Sequence, residues 1–409
     1  MRTLDLLGLA ALLCAAPWAV AAAGAEEHPR PEAVTVAQDV NLFAFDLYGR
    51  LRSEQNGNLF FSPQSISTAL AMTYAGARGE TAAEMARTMH FSLPQDRLSA
   101  AYAELLRALR PPGGTQSYRL SIANRLWGQR GMPFLEPFVA VTRRDYGAEL
   151  GLADFTTNAE GARGEINGWV AKQTEQKITD LIPARVLGPD TRLVLANAIY
   201  FRGDWAQQFE KRATRDQPFH VSGGTAVDVP LMFAKLTIGF AAQPDAALTV
   251  VELPYKGDDL SMLVLLPHAV DGLAGMEARL TAENVYRWRA GLERQDVLVY
   301  LPRFSIESGF GLASTLAAMG MPLAFSGRAD FSGMNGQRDL SISTVVHKAR
   351  VDVDEQGTEA AASTGLAVGV RGIPPAPPTF RADHPFVFLI RHNPTGAILF
   401  LGRMTNPKP

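Results

Sequence analysis

The chain has 409 residues, of which 47% are apolar and 20% charged, and its formal net charge is −2. The apolar fraction is enough for a sizeable core, and length alone favours two or three domains. The near-neutral balance, without a run of Lys and Arg, gives no reason to expect nucleic acid, an anionic membrane or a heparin-type polyanion as a partner.

Residues 1–25 have the pattern of a Sec-type signal peptide. Arg2 supplies positive charge, residues 6–20 are apolar, and small residues offer cleavage after position 21, 23 or 25. The apolar run is shorter than the roughly 18–20 residues of a membrane anchor. We therefore expect a secreted or periplasmic protein. Cys14, the single cysteine, would leave with the signal, so we expect no disulfide or thiolate metal site.

The first third of the mature chain has helical patterning, from residue 35 to about 110. Ser62 and Pro63 are typical of a helix start, with Ser as N-cap and Pro at the first helical position. Thr81 and Glu84 have the spacing of a capping box for the next helix. A further helix is predicted at 159–177.

Strands dominate later, and the predicted ones are 193–201, 249–253, 260–266, 296–301, 386–390 and 397–401. Residues 340–353 alternate with period two, and His347 lies on the apolar face, where we expect a core residue rather than a catalytic one. Helices come first, strands follow, and no linker divides them. The pattern predicts one α+β domain over 26–409.

The composition changes after Glu355, where residues 356–372 are mostly small and 374–378 are rich in proline. A long irregular connection inside a domain is typical of a functional loop. Alternate positions from 358 to 368 are Thr, Ala, Ala, Thr, Leu and Val. The loop therefore has the pattern of a strand that can enter a sheet without burying a charge, up to the prolines.

Several segments resemble motifs of inhibitory serpins, a family of serine protease inhibitors. Residues 354–363 (DEQGTEAAAS) resemble the serpin hinge, and the other matches, in family order, are 58–65, 166–170, 197–205, 346–349, 384–389 and 400–404. Together these motifs are highly specific, and they span the mature chain. With its signal peptide, the chain looks like an exported, bacterial-looking member.

The resemblance implies a metastable serpin fold with three β-sheets, about nine helices and an exposed reactive-centre loop at about 355–380. A serine protease would attack this loop as a substrate and form an acyl-enzyme. The cut loop would then insert into the main sheet and trap the protease. The resemblance thus implies a monomeric suicide-substrate inhibitor, without cofactor or metal, rather than an enzyme.

The resemblance also assigns roles by matched position. A polar cluster under the strands that must part, the shutter, matches Ser62, Ser65, Asn197 and His347. The breach, where insertion begins, matches Trp205, Arg303 and Glu355. The hinge matches Glu355, Gly357, Thr358, Glu359, Ala360, Ala361 and Ala362. Counting from the hinge places the reactive bond at Arg371–Gly372.

Three alternatives stay open at this point. Arg371 predicts a trypsin-like target, but cleavage at Leu366 or Val370 would suit an elastase-like enzyme. A cysteine protease that prefers Arg fits equally. A non-inhibitory serpin, acting as carrier or chaperone, would usually have bulky or charged residues on the inserting face, whereas this face is Thr, Ala, Ala, Thr. Inhibition is therefore favoured.

Overall fold

A computed structural model describes residues 30–110, 118–221, 224–356 and 376–408. Its α-helices in these ranges are α1 Pro31–Glu54, α2 Pro63–Tyr74, α3 Gly79–Thr88, α4 Gln95–Ala108, α5 Glu136–Tyr146, α6 Phe155–Gln173, α7 Leu273–Glu277, α8 Ala282–Ala290, α9 Ala313–Met319 and α10 Ser332–Asn335. None of the helices in this described part is long and apolar enough to span a bilayer.

The strands are β1 Leu59–Phe61, β2 Tyr118–Gln129, β3 Gly151–Ala153, β4 Leu193–Gly203, β5 Arg215–His220, β6 Ala226–Gln243, β7 Leu248–Pro254, β8 Leu260–Pro267, β9 Glu293–Pro302, β10 Phe304–Gly311, β11 Thr344–Val353, β12 Thr379–Arg381, β13 Phe386–His392 and β14 Ile398–Met404. The predicted α+β class is confirmed. Helices do not simply precede strands, because β2 lies between α4 and α5, and α7 and α8 lie between β8 and β9.

Five strands form one sheet in the order β10-β11-β4-β2-β3. At its centre β11 and β4 run parallel, in register from Thr344 opposite Val194 to Val351 opposite Phe201. The outer neighbours, β10 on β11 and β2 on β4, are antiparallel. β4 is buried at every position except Arg202, as its apolar run predicts for a strand covered on both faces.

The other strands form a nine-stranded sheet in the order β1-β14-β13-β8-β7-β6-β9-β12, with β5 paired to β6. The long strand β6 pairs with β5 at residues 226–231 and with β7 at residues 239–243. Because β6 pairs with β5 at one end and with β7 at the other, its hydrogen bonds join two of the three expected sheets into one. The arrangement otherwise agrees with the fold that the resemblance implies.

Aromatic rings connect the two sheets. Phe201 of β4 lies 5.4 Å from Phe400 of β14, and Phe60 of β1 stacks on Phe400 at 5.1 Å. On its other face the five-stranded sheet carries a second, smaller apolar core, built with α6 and the segment that follows it, and this core includes Ala196, Ile166 and Leu181. The sheet therefore separates a main core from a small one under α6.

Two of the predicted helix starts had different outcomes. Ser62 caps α2, since Ser65 N donates to Ser62 Oγ at 3.2 Å and Pro63 is the first helical residue. The capping box of Thr81 and Glu84 is wrong, because α3 already begins at Gly79. Thr81 Oγ1 instead accepts from Asp330 N, and Glu84 accepts from Leu323 N.

Candidate functional site

A row of side chains crosses the middle of the five-stranded sheet. The parallel register places His347 of β11 opposite Asn197 of β4. The row continues to Phe310 on β10 and to Asn124 on β2. His347 and Asn197 are buried, with 0% and 1% of their surface exposed, so each polar atom of the row needs a partner inside the protein.

The partners fix the state of the His347 ring. Ser62 N, just before α2, donates to Nε2 at 3.1 Å, so this nitrogen is the acceptor. Nδ1 then carries the proton and donates to Asn197 Oδ1 at 2.5 Å. Burial lowers the pKa of His347 to about 3, which keeps the imidazole neutral at physiological pH.

Asn197 completes the cluster with its amide nitrogen. Nδ2 donates to Ser65 Oγ at 2.6 Å and to Ser65 O at 3.1 Å. The structure thus brings together all four residues predicted for the shutter, and it links β11, β4 and α2 through them. Asn124, which was not predicted, adds a donor to Ser65 O at 3.3 Å, while its Oδ1 is buried without a partner among the described residues.

A second cluster lies at the C-terminal end of β11, where the chain leaves the sheet. Trp205 Nε1 donates to Asp354 O at 2.9 Å, and Phe209 N donates to Glu355 O at 3.1 Å. Gln208 Nε2 donates to Gln356 O at 2.8 Å. Three successive carbonyls are therefore held by the segment that follows β4.

The carboxylate of Glu355 is buried in this cluster and is 3% exposed. Thr214 Oγ1 donates to it at 2.7 Å, and Arg303 Nη1 lies 3.8 Å away. A buried charge is costly unless it is paired and hydrogen-bonded, and these two groups supply the partners. Of the predicted breach residues, Arg303 therefore lies at the carboxylate of Glu355 and Trp205 bonds the carbonyl of the neighbouring Asp354, whereas Thr214 and Gln208 were missed.

Trp205 is rigidly packed. Its ring stacks on Tyr255 at 4.6 Å with planes 10° apart, and its edge meets Phe209 at 6.2 Å. Because two aromatic neighbours fix the indole, its N–H is held in line with Asp354 O. The cluster is thus a preformed anchor for the end of β11.

The other predicted site residues lie outside the described residues: they are the hinge positions Gly357, Thr358, Glu359, Ala360, Ala361 and Ala362 and the reactive bond Arg371–Gly372. The described chain resumes at residue 376, and Pro378 O accepts from Leu298 N of β9 at 2.9 Å. Residues 357–375 therefore connect the end of β11 to the edge of the nine-stranded sheet. Within the four described ranges, no group of three His, Cys, Asp or Glu side chains is placed to hold a metal ion.

Comparison with known proteins identifies the family of this arrangement. The model of the family described as "Serpin (serine protease inhibitor)" matches residues 38–407. The leukocyte elastase inhibitor of Sus scrofa is 44% identical over 373 residues, which are 89% of this chain and 97% of that protein. The human protein of the same name is 43% identical over 375 residues, again 89% and 97%.

Solved structures agree with the sequence matches. Uncleaved ovalbumin superposes with a TM-score of 0.83 at 32% identity and covers 91% of this chain and 100% of its own. Human thyroxine-binding globulin, complexed with its hormone, gives a TM-score of 0.83 at 32% identity and covers 92% and 100%.

These comparisons correct the predicted localisation. The expectation of a secreted or periplasmic, bacterial-looking protein is wrong, because relatives matched over 97% of their own length are vertebrate leukocyte elastase inhibitors. The family match begins at residue 38, after the segment taken for a signal peptide, and residues 1–25 lie outside the described part of the chain. An apolar run behind one Arg is a compositional signal only, and Asp5 so near the start is atypical of an export signal.

Proposed function

The chain belongs to the serpin family, and we propose that it inhibits a serine protease by trapping it on a loop at about 355–380. The supporting observation is the parallel pairing of β11 and β4 at the centre of the sheet. A loop that leaves the end of β11 and folds back between these strands runs antiparallel to both. One parallel ladder is then replaced by two antiparallel ones, which are slightly more stable per residue.

In this proposal residues 26–409 act as one monomeric domain, and the cut loop enters from the breach. Thr358 enters first, followed on the same face by Ala360 and Ala362, so no charge is buried on that face. About 14 residues at roughly 3.3 Å each carry the attached protease roughly 45 Å. Displacements far smaller than this disable a catalytic constellation, so the acyl bond stays unhydrolysed.

The two polar clusters oppose loop insertion in the intact protein. Insertion separates β11 from β4 by a strand width, which breaks the hydrogen bond between His347 and Asn197. It also pulls on the carbonyls of 354–356, which the anchor around Trp205 holds. The loop is thus restrained until cleavage frees its far end, as a suicide substrate requires.

The proposed target has trypsin-like specificity, because Arg371 is the only Arg or Lys between Glu355 and Pro378. A trypsin-like pocket pairs a buried Asp with such a side chain. An elastase-like target is the second candidate, with cleavage at Leu366 or Val370. The relatives named leukocyte elastase inhibitors favour this second candidate.

Incubation with trypsin and with elastase, followed by denaturing electrophoresis and sequencing of the released C-terminal peptide, tests the function and the specificity together. A stable trypsin complex and a peptide that begins at Gly372 are expected. Arg371→Lys keeps the charge and should retain trypsin trapping, whereas Arg371→Ala should lose it. Rapid trapping of elastase by both variants would instead assign the bait to Leu366 or Val370.

A non-inhibitory carrier is the remaining candidate. It is favoured by the structural likeness to thyroxine-binding globulin in complex with its hormone. The absence of a covalent complex with any serine protease, together with intact folding, would support it over inhibition.

A further inference from the structure

A pocket of about 440 Å³ opens beside Glu355, next to the anchor at the end of β11. Three cationic side chains line it: Lys211, Arg215 and Arg303. The carboxylates in its lining are those of Asp216 and Glu355, so the cationic charges outnumber the anionic ones by three to two.

Each of the three cationic side chains has N–H groups that are available to hydrogen-bond a ligand. Arg303 is 52% exposed, and its ion pair with Glu355 spans 3.8 Å, which is longer than a hydrogen bond. Lys211 has no ion pair or side-chain hydrogen bond to the residues that the structure describes. Arg215 Nη1 donates to the carbonyls of Arg212 and Thr214. Those carbonyls orient its guanidinium and leave its other N–H groups available.

We propose that this pocket binds a compact multivalent oxyanion of the phosphate class, held by Lys211, Arg215 and Arg303. Guanidinium groups match the geometry of such oxygens in bidentate contacts, and an ammonium adds a point charge. Glu355 does not block the site, because its carboxylate is buried and bonded to Thr214 Oγ1. The carboxylate of Asp216 repels an anion. An anion that carries more than one negative charge gains more from the three cations, so it should bind better than a monovalent one.

Arg303 is shared between the pocket and the hinge. When its guanidinium turns to the anion, Glu355 keeps only the hydroxyl of Thr214 as a close partner. A buried carboxylate that loses its counter-ion is less stable where it is. The anion therefore loosens residues 354–356 and speeds loop insertion, a step that rests on the proposed inhibitory function.

Binding is tested without any protease, by calorimetric titration of the full chain with pyrophosphate at constant ionic strength. One saturable site is expected. Lys211→Gln and Arg215→Gln should each weaken the affinity about tenfold, the effect of losing one charge-assisted contact. Arg212→Gln is the matched control, since Arg212 is 87% exposed, pairs with Glu210 and does not line the pocket. An affinity that is equal in all four proteins, or the lack of a saturable site, overturns the proposal.

Coupling is tested by the rate at which a stable complex with trypsin forms, with and without pyrophosphate. Trypsin activity on a small substrate, measured under the same conditions, corrects for effects on the enzyme. The rate should rise several-fold in the wild type and stay constant in Arg303→Gln. Binding without a change in rate overturns the coupling alone. Failure to trap any serine protease overturns the proposed function, while calorimetry still decides the pocket.

Discussion

His347 and Asn197 face each other across the seam between β11 and β4, and the imidazole Nδ1–H donates to the amide oxygen. In the proposed mechanism the cut loop enters the sheet at this seam, which requires β11 and β4 to part. The hydrogen bond of one neutral ring therefore depends on whether the sheet is closed.

Lowering the pH should reduce the stability of the folded protein against unfolding. The pKa of His347 is about 3 in the folded protein and 6.5 ordinarily, so below pH 6.5 the unfolded chain binds a proton that the folded chain does not. The free energy of unfolding should fall as pH drops from 6.5 towards 3, by up to about 1.4 kcal/mol per pH unit.

The contribution of this one ring is measured by comparing the wild type with His347→Gln in urea at pH 7.5, 6.5 and 5.5. Because His392, with a pKa lowered to about 4, is present in both proteins, its contribution cancels in the difference. We expect the variant to be less stable at pH 7.5 and less sensitive to pH. Parallel pH dependences would show that His347 is not the responsible group.

Removing the hydroxyl of Thr214 should destabilise the hinge. Thr214→Val leaves the Glu355 carboxylate, 3% exposed, with Arg303 at 3.8 Å as its remaining partner. The loss of one hydrogen bond to a buried charge should cost about 1.5–3 kcal/mol. The denaturation midpoint measures it, and Thr237→Val is the control, because Thr237 also bonds a carboxylate, that of Asp296, but at an exposed site. Equal midpoints for the two variants would contradict the role of Thr214.

Thr358→Arg should convert the inhibitor into an ordinary substrate. Residue 358 is expected to enter the sheet first, and an unpaired buried guanidinium costs several kcal/mol. Slower insertion gives deacylation time to finish, so the protease is released and the loop is found cut. The number of inhibitor molecules consumed per trapped protease should rise well above that of the wild type.

The control is Glu359→Arg, which places the same side chain on the opposite face of the predicted strand. It should trap protease more efficiently than Thr358→Arg. If the two variants consume equal amounts of inhibitor, the period-two insertion pattern is wrong.

Nicking the loop should raise the thermal stability. An inserted strand adds two antiparallel ladders and buries its Thr, Ala, Leu and Val face. Melting of intact and nicked protein is compared by calorimetry, with a sample nicked after Thr358→Arg substitution as the control that should gain less. A nicked wild type that melts at or below the intact protein would favour the carrier function.

The sequence predicted much of this site because its residues belong to motifs. Ser62, Ser65, Asn197 and His347 lie in three separate segments. Their resemblance to serpin motifs grouped them as one cluster, and in the structure they are joined by hydrogen bonds. Buried β4 was equally predictable, since a strand covered on both faces is apolar throughout.

Residues whose partners are remote in the chain were missed. Thr214 bonds Glu355 across 141 positions, and no local pattern marks a Thr for that contact. Glu84 fits a helix cap by spacing, yet its carboxylate accepts from Leu323 N, 239 positions away. Local rules fail at such places because tertiary contacts outweigh a capping preference of about 1 kcal/mol.

Because α6 packs on a small core of its own, its local stability against unfolding should differ from that of the main core. Its members, such as Ile166 and Leu181, contact the outer face of the sheet and are not part of the main core. Opening of α6 would break the contacts of the small core and the hydrogen bonds between Asn167 and Ile182 while leaving the main core closed, so we expect α6 to be a smaller cooperative unit. Amide protons of α6 should exchange with solvent sooner than those of β14, with the rest of the protein still folded. In the proposed mechanism, a protease that crosses the α6 side of the five-stranded sheet meets a helix that can move aside without opening the main core.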